Sequence, residues 1–203
     1  MPIYAMNSLA SMENIRLTHV QWDIGCIEDD IMEKNQRNGH AVSAMTAVNF
    51  SEMKISSNPV ETLVAFSIGS GIGITAHDPV GRVGGLLNFI LPDSTHTDGT
   101  NPAKAPCMFA DTGIAAFLKA LLEQGAKAET LKVVVAGGAQ IMDQTGGFNI
   151  GQKNLEALKT SLGRYDVKIH HEAVGGTNSR TISLEIGSGA SIIKTSGEGE
   201  QKV

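Results

Sequence analysis

Cysteine is nearly missing: the 203-residue chain holds two, Cys26 and Cys107, too few for a disulfide framework. Neither stands in a Cys/His spacing suited to a metal ion, so no metal and no cofactor is expected. Aromatic residues are scarce as well, at 4% with the single tryptophan Trp22, which disfavours stacking on single-stranded nucleic acid. Sixteen Lys and Arg against 21 Asp and Glu leave a formal charge of −5. With no dense basic cluster, that balance argues against nucleic-acid binding. No apolar run approaches the ~20 residues of a membrane span, and the residues after Met1 lack the basic-then-apolar order of a secretory signal. A cytoplasmic protein without direct membrane insertion is the expectation.

Glycine is plentiful, at 23 residues, and one glycine-rich run, Ser67 to Pro92 (SIGSGIGITAHDPVGRVGGLLNFILP), is informative. It reads as two strands joined by a turn. Ile68, Ser70, Ile72 and Ile74 alternate with Ser67, Gly69, Gly71, Gly73 and Thr75, the two-residue period of a strand. One face is stripped of side chains, and bare positions inside a strand mark close approach by another backbone or by a ligand. Asp78-Pro79 with Gly81 supplies the turn, and the second strand runs from Val83 to Leu91 before Pro92. Centring the hairpin between Pro79 and Val80 sets Gly71 opposite Asn88, where directly opposed side chains could act as a pair.

The rest of the chain divides into a polar extension over residues 1–45, a regular domain over 46–195 and a charged, frayed tail over 196–203. A short acidic helix is expected over Cys26–Arg37. Strands are expected over 48–56 and 62–76, and again at 131–136, 167–173, 181–186 and 190–194. Ile114, Phe117, Leu118, Leu121 and Leu122 form a helical stripe over 112–124, ended by Gly125. A second helix, 150–162, turns Leu155, Leu158 and Leu162 inward and closes at Gly163. Strands outnumber helices, and hairpins mix with helix-separated strands, so the fold class is α+β with layered sheets.

Gly69-Ser70, Asp78-Pro79, Gly84-Gly85 and Leu91-Pro92 keep the frame of a known signature. Phe109-Ala110-Asp111, Gly137-Gly138-Ala139, Asn149-Ile150-Gly151 with Asn154, and Gly175-Gly176 followed by Arg180 extend it over residues 48–195. In these motifs the chain resembles the CheD family, the chemoreceptor glutamine deamidases of bacterial and archaeal chemotaxis. That resemblance implies a layered β-sheet sandwich flanked by helices. It implies two partners: the cytoplasmic domain of chemoreceptors (methyl-accepting chemotaxis proteins) and a CheC-type phosphatase. It also implies three catalytic positions, and here all three are empty. The family's nucleophilic Cys falls on Gly71, its base His on Asn88, and its assisting Thr on Ala65.

Glutamine deamidation needs a nucleophile that attacks the carboxamide carbon, expels ammonia and leaves a thioester for water to hydrolyse. Cys serves because an adjacent imidazole lowers its pKa and shuttles the proton. Gly71 has no side chain, and the Asn88 amide does not titrate, so neither can act. Ser70 is adjacent to the vacated position, but neighbouring strand residues face opposite ways. Thr75 shares the face of Gly71 but lies farther along the strand. Cys107 stands just before the Phe109-Ala110-Asp111 motif and is the candidate for a relocated nucleophile, with a small buried hydrophobe as the competing reading. His77 reads as a turn residue; His170 and His171 diverge on one strand; His19, His40 and His96 have no ligand spacing. Gly137-Gly138 lacks the Walker spacing and its Lys, and reads as a tight turn.

Three functional readings follow. The first is a catalytically degenerate CheD-like chemotaxis protein that works by binding, with Gly69, Ser70, Gly71 and Asn88 as candidate ligand contacts and a vacancy at Gly71 for a receptor glutamine. The second is an active protein-glutamine amidohydrolase that uses Cys107. The third is a module for an unrelated small ligand held in the glycine-lined cleft.

Overall fold

A computed structural model describes residues 44–95, 101–141 and 149–203. The expected helix over Cys26–Arg37, with Trp22, His19, His40 and His96, lies outside them. In chain order the elements are β1 (Ala44–Ala47), β2 (Glu52–Ser56), β3 (Glu61–Ile68), β4 (Ile72–Asp78), β5 (Val83–Phe89), α1 (Ala110–Glu123) and β6 (Lys132–Gly137). Then come α2 (Ile150–Arg164), β7 (Ile169–Val174), β8 (Arg180–Glu185), β9 (Ser191–Thr195) and β10 (Gly199–Lys202). Among the described residues these strands make two five-stranded sheets, ordered β1-β3-β8-β9-β10 and β2-β5-β4-β6-β7. The α+β layered architecture is present.

Apolar burial explains the layering. Leu63, Ala65 and Ile68 of β3 join Ile182 and Leu184 of β8 with Leu86, Val134 and Ala136 of the second sheet in one cluster between the sheets. The other face of the second sheet carries Ile72, Ile74, Leu87, Phe89 and Val135 against Ile114, Phe117, Leu118 and Leu121 of α1 and Leu158 and Leu162 of α2. Strands β4 and β5 are therefore covered on both sides, and every one of their residues is buried. A sheet buried on both faces shows apolar runs rather than clean alternation. The α1 stripe packs inward, and Gly125 ends the helix at φ 93°, the left-handed exit that glycine makes without strain. Helix α2 runs past Gly163 to Arg164 and stops where Asp166 takes φ 53°.

Four expectations are corrected. The long strand over 62–76 is two strands in different sheets, β3 and β4, joined by a corner at Gly69-Ser70-Gly71. The hairpin register is shifted: Ile72 faces Phe89, Gly73 faces Asn88, and Asp78 faces Val83. Gly71 lies beyond the end of β4, one diagonal step from Asn88 instead of opposite it. The cause is the loop, which comprises Pro79, Val80, Gly81 and Arg82 because the Asp78 carboxylate accepts the Val80 and Gly81 N–H groups and Arg82 sits at φ 53°. His77 thereby belongs to β4, not to the turn. The tail is also not frayed throughout: Gly199–Lys202 pairs antiparallel with β9, after a turn that Gly197 enables at φ 80°, and Val203 and Ser191 exchange backbone hydrogen bonds.

Candidate functional site

The corner at Gly69-Ser70-Gly71 is held by backbone and by one side chain. Gly138 N–H donates to the Gly71 carbonyl at 2.7 Å, and Ala139 N–H donates to the Gly69 carbonyl at 2.9 Å. From α2, the Asn154 amide donates to the Ser70 carbonyl at 2.8 Å and to the Ile90 carbonyl at 2.9 Å, so one buried side chain ties the corner to the exit of β5. Gly137 and Gly151 permit this approach: a Cβ on Gly137 would strike the Gly71 carbonyl, and one on Gly151 would strike the Gly138 carbonyl. Behind them, Gly175 N–H donates to the Gly137 carbonyl, and Arg180 Nη1 donates to the Gly175 carbonyl at 2.7 Å. Glycine motifs far apart in sequence thus meet around three residues. Asn154 and Arg180 are the clamps that periodicity does not reveal, since each acts on carbonyls outside its own element.

Ala65 and Asn88 lie on the face of their strands that looks between the sheets. Asn88 is buried, and its Nδ2 donates to the Val48 carbonyl at a long 3.4 Å. Val48 N–H in turn donates to the Val64 carbonyl at 2.7 Å, so Asn88 is two hydrogen bonds from the residue beside Ala65. Asn88 Oδ1, Asn154 Oδ1 and Arg180 Nε are the three buried side-chain polar atoms without a hydrogen-bond partner among the described residues. All three belong to residues around this corner. An unpaired buried polar atom costs on the order of 1–3 kcal/mol, so their concentration here sets the corner apart from the rest of the core.

The glycine face is packed, not open. A Cβ on Gly71 would lie 2.8 Å from the Phe89 carbonyl oxygen and 3.4 Å from Ile90 Cγ2. On Gly73 it would meet Ile68 Cδ1 at 2.5 Å and Ile182 Cγ2 at 2.8 Å, and on Gly69 it would meet Ile141 Cδ1 at 3.0 Å. The bare positions let the chain pass closely against the neighbouring strands. The expected vacancy at Gly71 and the glycine-lined cleft are therefore filled by the protein itself.

Ser70 is exposed, and its hydroxyl makes no hydrogen bond among the described residues. Cys107 sits in the turn Pro106–Met108 and is buried in the cluster on the helix side of the second sheet, the face away from Asn88. Burial first, and then the negative charge of Glu52, push its thiol pKa up to about 11. It is protonated at neutral pH, and no imidazole bonds to it among the described residues. His77 Nε2 lies 3.0 Å from the Ile186 carbonyl, and burial lowers its pKa. His170 Nδ1 accepts the Val133 N–H at 3.1 Å. No cluster of three metal-ligating side chains occurs among the described residues, and no helix there is long and apolar enough to cross a membrane.

Comparison with known proteins gives one family. The family model for CheD chemotactic sensory transduction matches residues 90–195, beginning just past Asn88. A probable chemoreceptor glutamine deamidase CheD of Solibacter usitatus is 38% identical over 156 residues, covering 77% of this chain and 92% of that protein. A second, CheD 1 of Syntrophus aciditrophicus, is 41% identical over 150 residues, with 74% and 93% covered. The chemoreceptor glutamine deamidase CheD of Thermotoga maritima is 34% identical over 154 residues, with 76% and 94% covered.

Proposed function

This chain belongs to the CheD family, and from that premise we propose that it is a catalytically silent member that works by binding. Its partners are the cytoplasmic helices of chemoreceptors, a CheC-type phosphatase, or both, met in the cytoplasm. The observation that carries this reading is position 71. It has no side chain, and a Cβ placed there would press on the Phe89 carbonyl at 2.8 Å. A nucleophile at that point would thus require the backbone of β5 or the corner itself to move. Asn88 supplies hydrogen bonds but no titratable base, and Ala65 supplies neither. In a serine protease, loss of the nucleophile or the base costs about 10⁶ in kcat, far more than binding interactions alone restore.

Cys107 does not support the active-enzyme alternative, because its thiol pKa is raised to about 11 and a reactive cysteine needs a lowered one. The test is incubation of the protein with receptor cytoplasmic fragments, read by calorimetry for binding and by intact mass for conversion of glutamine to glutamate. Binding without a mass gain is expected. A mass gain abolished by Cys107→Ser would overturn the silent reading in favour of the relocated nucleophile.

A further inference from the structure

At the end of β4 opposite the glycine corner, three turns converge on a cleft of ≈ 460 Å³. The β4–β5 hairpin brings Pro79 and Arg82, the β2–β3 link brings Pro59, and the β8–β9 link brings Ile186, Gly187 and Ser188. Among the described residues no carboxylate lines it, although the chain is acidic overall. Arg82 joins no ion pair or side-chain hydrogen bond among those residues.

The nearby acids are already engaged. Asp78 Oδ1 accepts from Val80 N–H at 2.9 Å and Thr130 Oγ1 at 2.6 Å, and Oδ2 accepts from Gly81 N–H at 3.0 Å and Lys127 N–H at 2.9 Å. Glu185 accepts from Ser188 Oγ at 2.8 Å and pairs with Lys202 at 3.1 Å. The floor is His77, whose Nε2 is committed to the Ile186 carbonyl. That leaves the Arg82 guanidinium as the unbalanced charge of the cleft. The backbone N–H groups of Gly187 and Ser188 have no acceptor among the described residues, and Pro59, Pro79 and Ile186 supply apolar wall. Mostly apolar lining with a few convergent polar groups is the composition of a small-molecule site.

We propose that this cleft is a second binding site, which takes a small organic oxyanion, a carboxylate or a phosphate. The charged head lies on Arg82 and the Gly187 and Ser188 amides, and the carbon skeleton lies against Pro59, Pro79 and Ile186. The forked N–H donors of a guanidinium match such a head group. The site is independent of the chemistry at positions 65, 71 and 88.

The experiment is an amide NMR titration of the whole chain with inorganic phosphate and, separately, with butyrate, each referenced to chloride at equal ionic strength. Saturable shifts at Gly187 and Ser188 beyond those of chloride are expected with at least one probe, and the responding probe identifies the head group. Arg82→Gln should weaken that binding roughly tenfold or more. Lys119→Gln, which removes an exposed cation on α1, should leave it unchanged. The proposal is overturned if neither probe saturates beyond chloride, if Arg82→Gln binds like the parent, or if Lys119→Gln weakens binding as much as Arg82→Gln does.

Discussion

Strand β4 ends in two different ways. At its hairpin end, the buried Asp78 carboxylate accepts four hydrogen bonds, two from its own turn and two from Lys127 and Thr130. At its corner end, Asn88 and Asn154 each bury an oxygen with no donor among the described residues, and Arg180 buries an unpaired Nε. The same strand thus joins a polar group that is fully satisfied to a set that is not. Full satisfaction is what a structural carboxylate needs to survive burial. Incomplete satisfaction is what remains around positions where the family resemblance expects catalytic side chains and finds Gly71, Asn88 and Ala65.

The largest difference between the ends should appear on truncation. Asp78→Ala removes four bonds and strands three backbone N–H groups, so it should cost about 3–5 kcal/mol, read as a lowered urea midpoint with unchanged slope. An equal loss from Asn88→Ala would abolish the contrast.

The next effect is a pH dependence confined to the hairpin end. Burial alone would raise the Asp78 pKa, but the bonds from Thr130, Lys127, Val80 and Gly81 outweigh it and hold the pKa below the ordinary value. A folded pKa below the unfolded value of ~3.9 means that the unfolded chain binds the proton more tightly. The stabilisation is then complete above the unfolded pKa and lost as pH falls through the folded one. Asp78→Asn should accordingly flatten the acid limb of the stability curve below pH ~4, measured by denaturant melts at stepped pH. An acid limb of unchanged steepness would assign it to other carboxylates.

Much of this fold is legible in the sequence, and the reasons for the misses are physical. The helical stripe from Ile114 to Leu121 and the inward Leu158 and Leu162 follow from local periodicity, and burial confirms them. The departures at positions 65, 71 and 88 are visible because residue identity needs no coordinates. Register is different. The loop from Pro79 to Arg82 is fixed by Asp78 bonding to Lys127 and Thr130, about fifty residues away, and no local rule contains that contact. Likewise β3 and β4 share one strand period, so alternation alone cannot show that the chain changes sheet at Gly69-Ser70-Gly71. Asn154 stands in one of the motifs that carry the family resemblance, but what it clamps is not legible from periodicity, because its two acceptors lie outside its own helix.

A smaller effect is expected from adding a side chain at the corner. Gly71→Ala must displace the Phe89 carbonyl or the corner itself, at a cost of about 1–3 kcal/mol. Gly71→Cys carries the same strain, so Gly71→Cys with Asn88→His should show weak deamidation of receptor fragments at most, and Ala65→Thr should add to it only if the corner relaxes. Robust activity in the double variant would mean that the packing at position 71 yields easily.

The smallest effect should come from the least satisfied residue. Asn88 contributes one hydrogen bond at 3.4 Å and buries one oxygen with no partner among the described residues, so its amide gains little over an apolar group of similar size. Removing one partner of a buried hydrogen bond leaves the other unsatisfied, so the Val48 carbonyl faces a penalty, and the removal of the unpaired Asn88 oxygen offsets it. Asn88→Leu should therefore change stability by no more than about 1 kcal/mol in either direction, by the same urea melts as Asp78→Ala. Asn88 Oδ1 is buried, so a receptor carboxamide reaches it only where the packing around β5 opens on binding; in that case Asn88→Leu should weaken receptor-fragment binding while leaving stability in that window. Loss of binding without loss of stability would make the unpaired oxygen a recognition group. Loss of both would make it a structural one and remove the contrast between the two ends of β4.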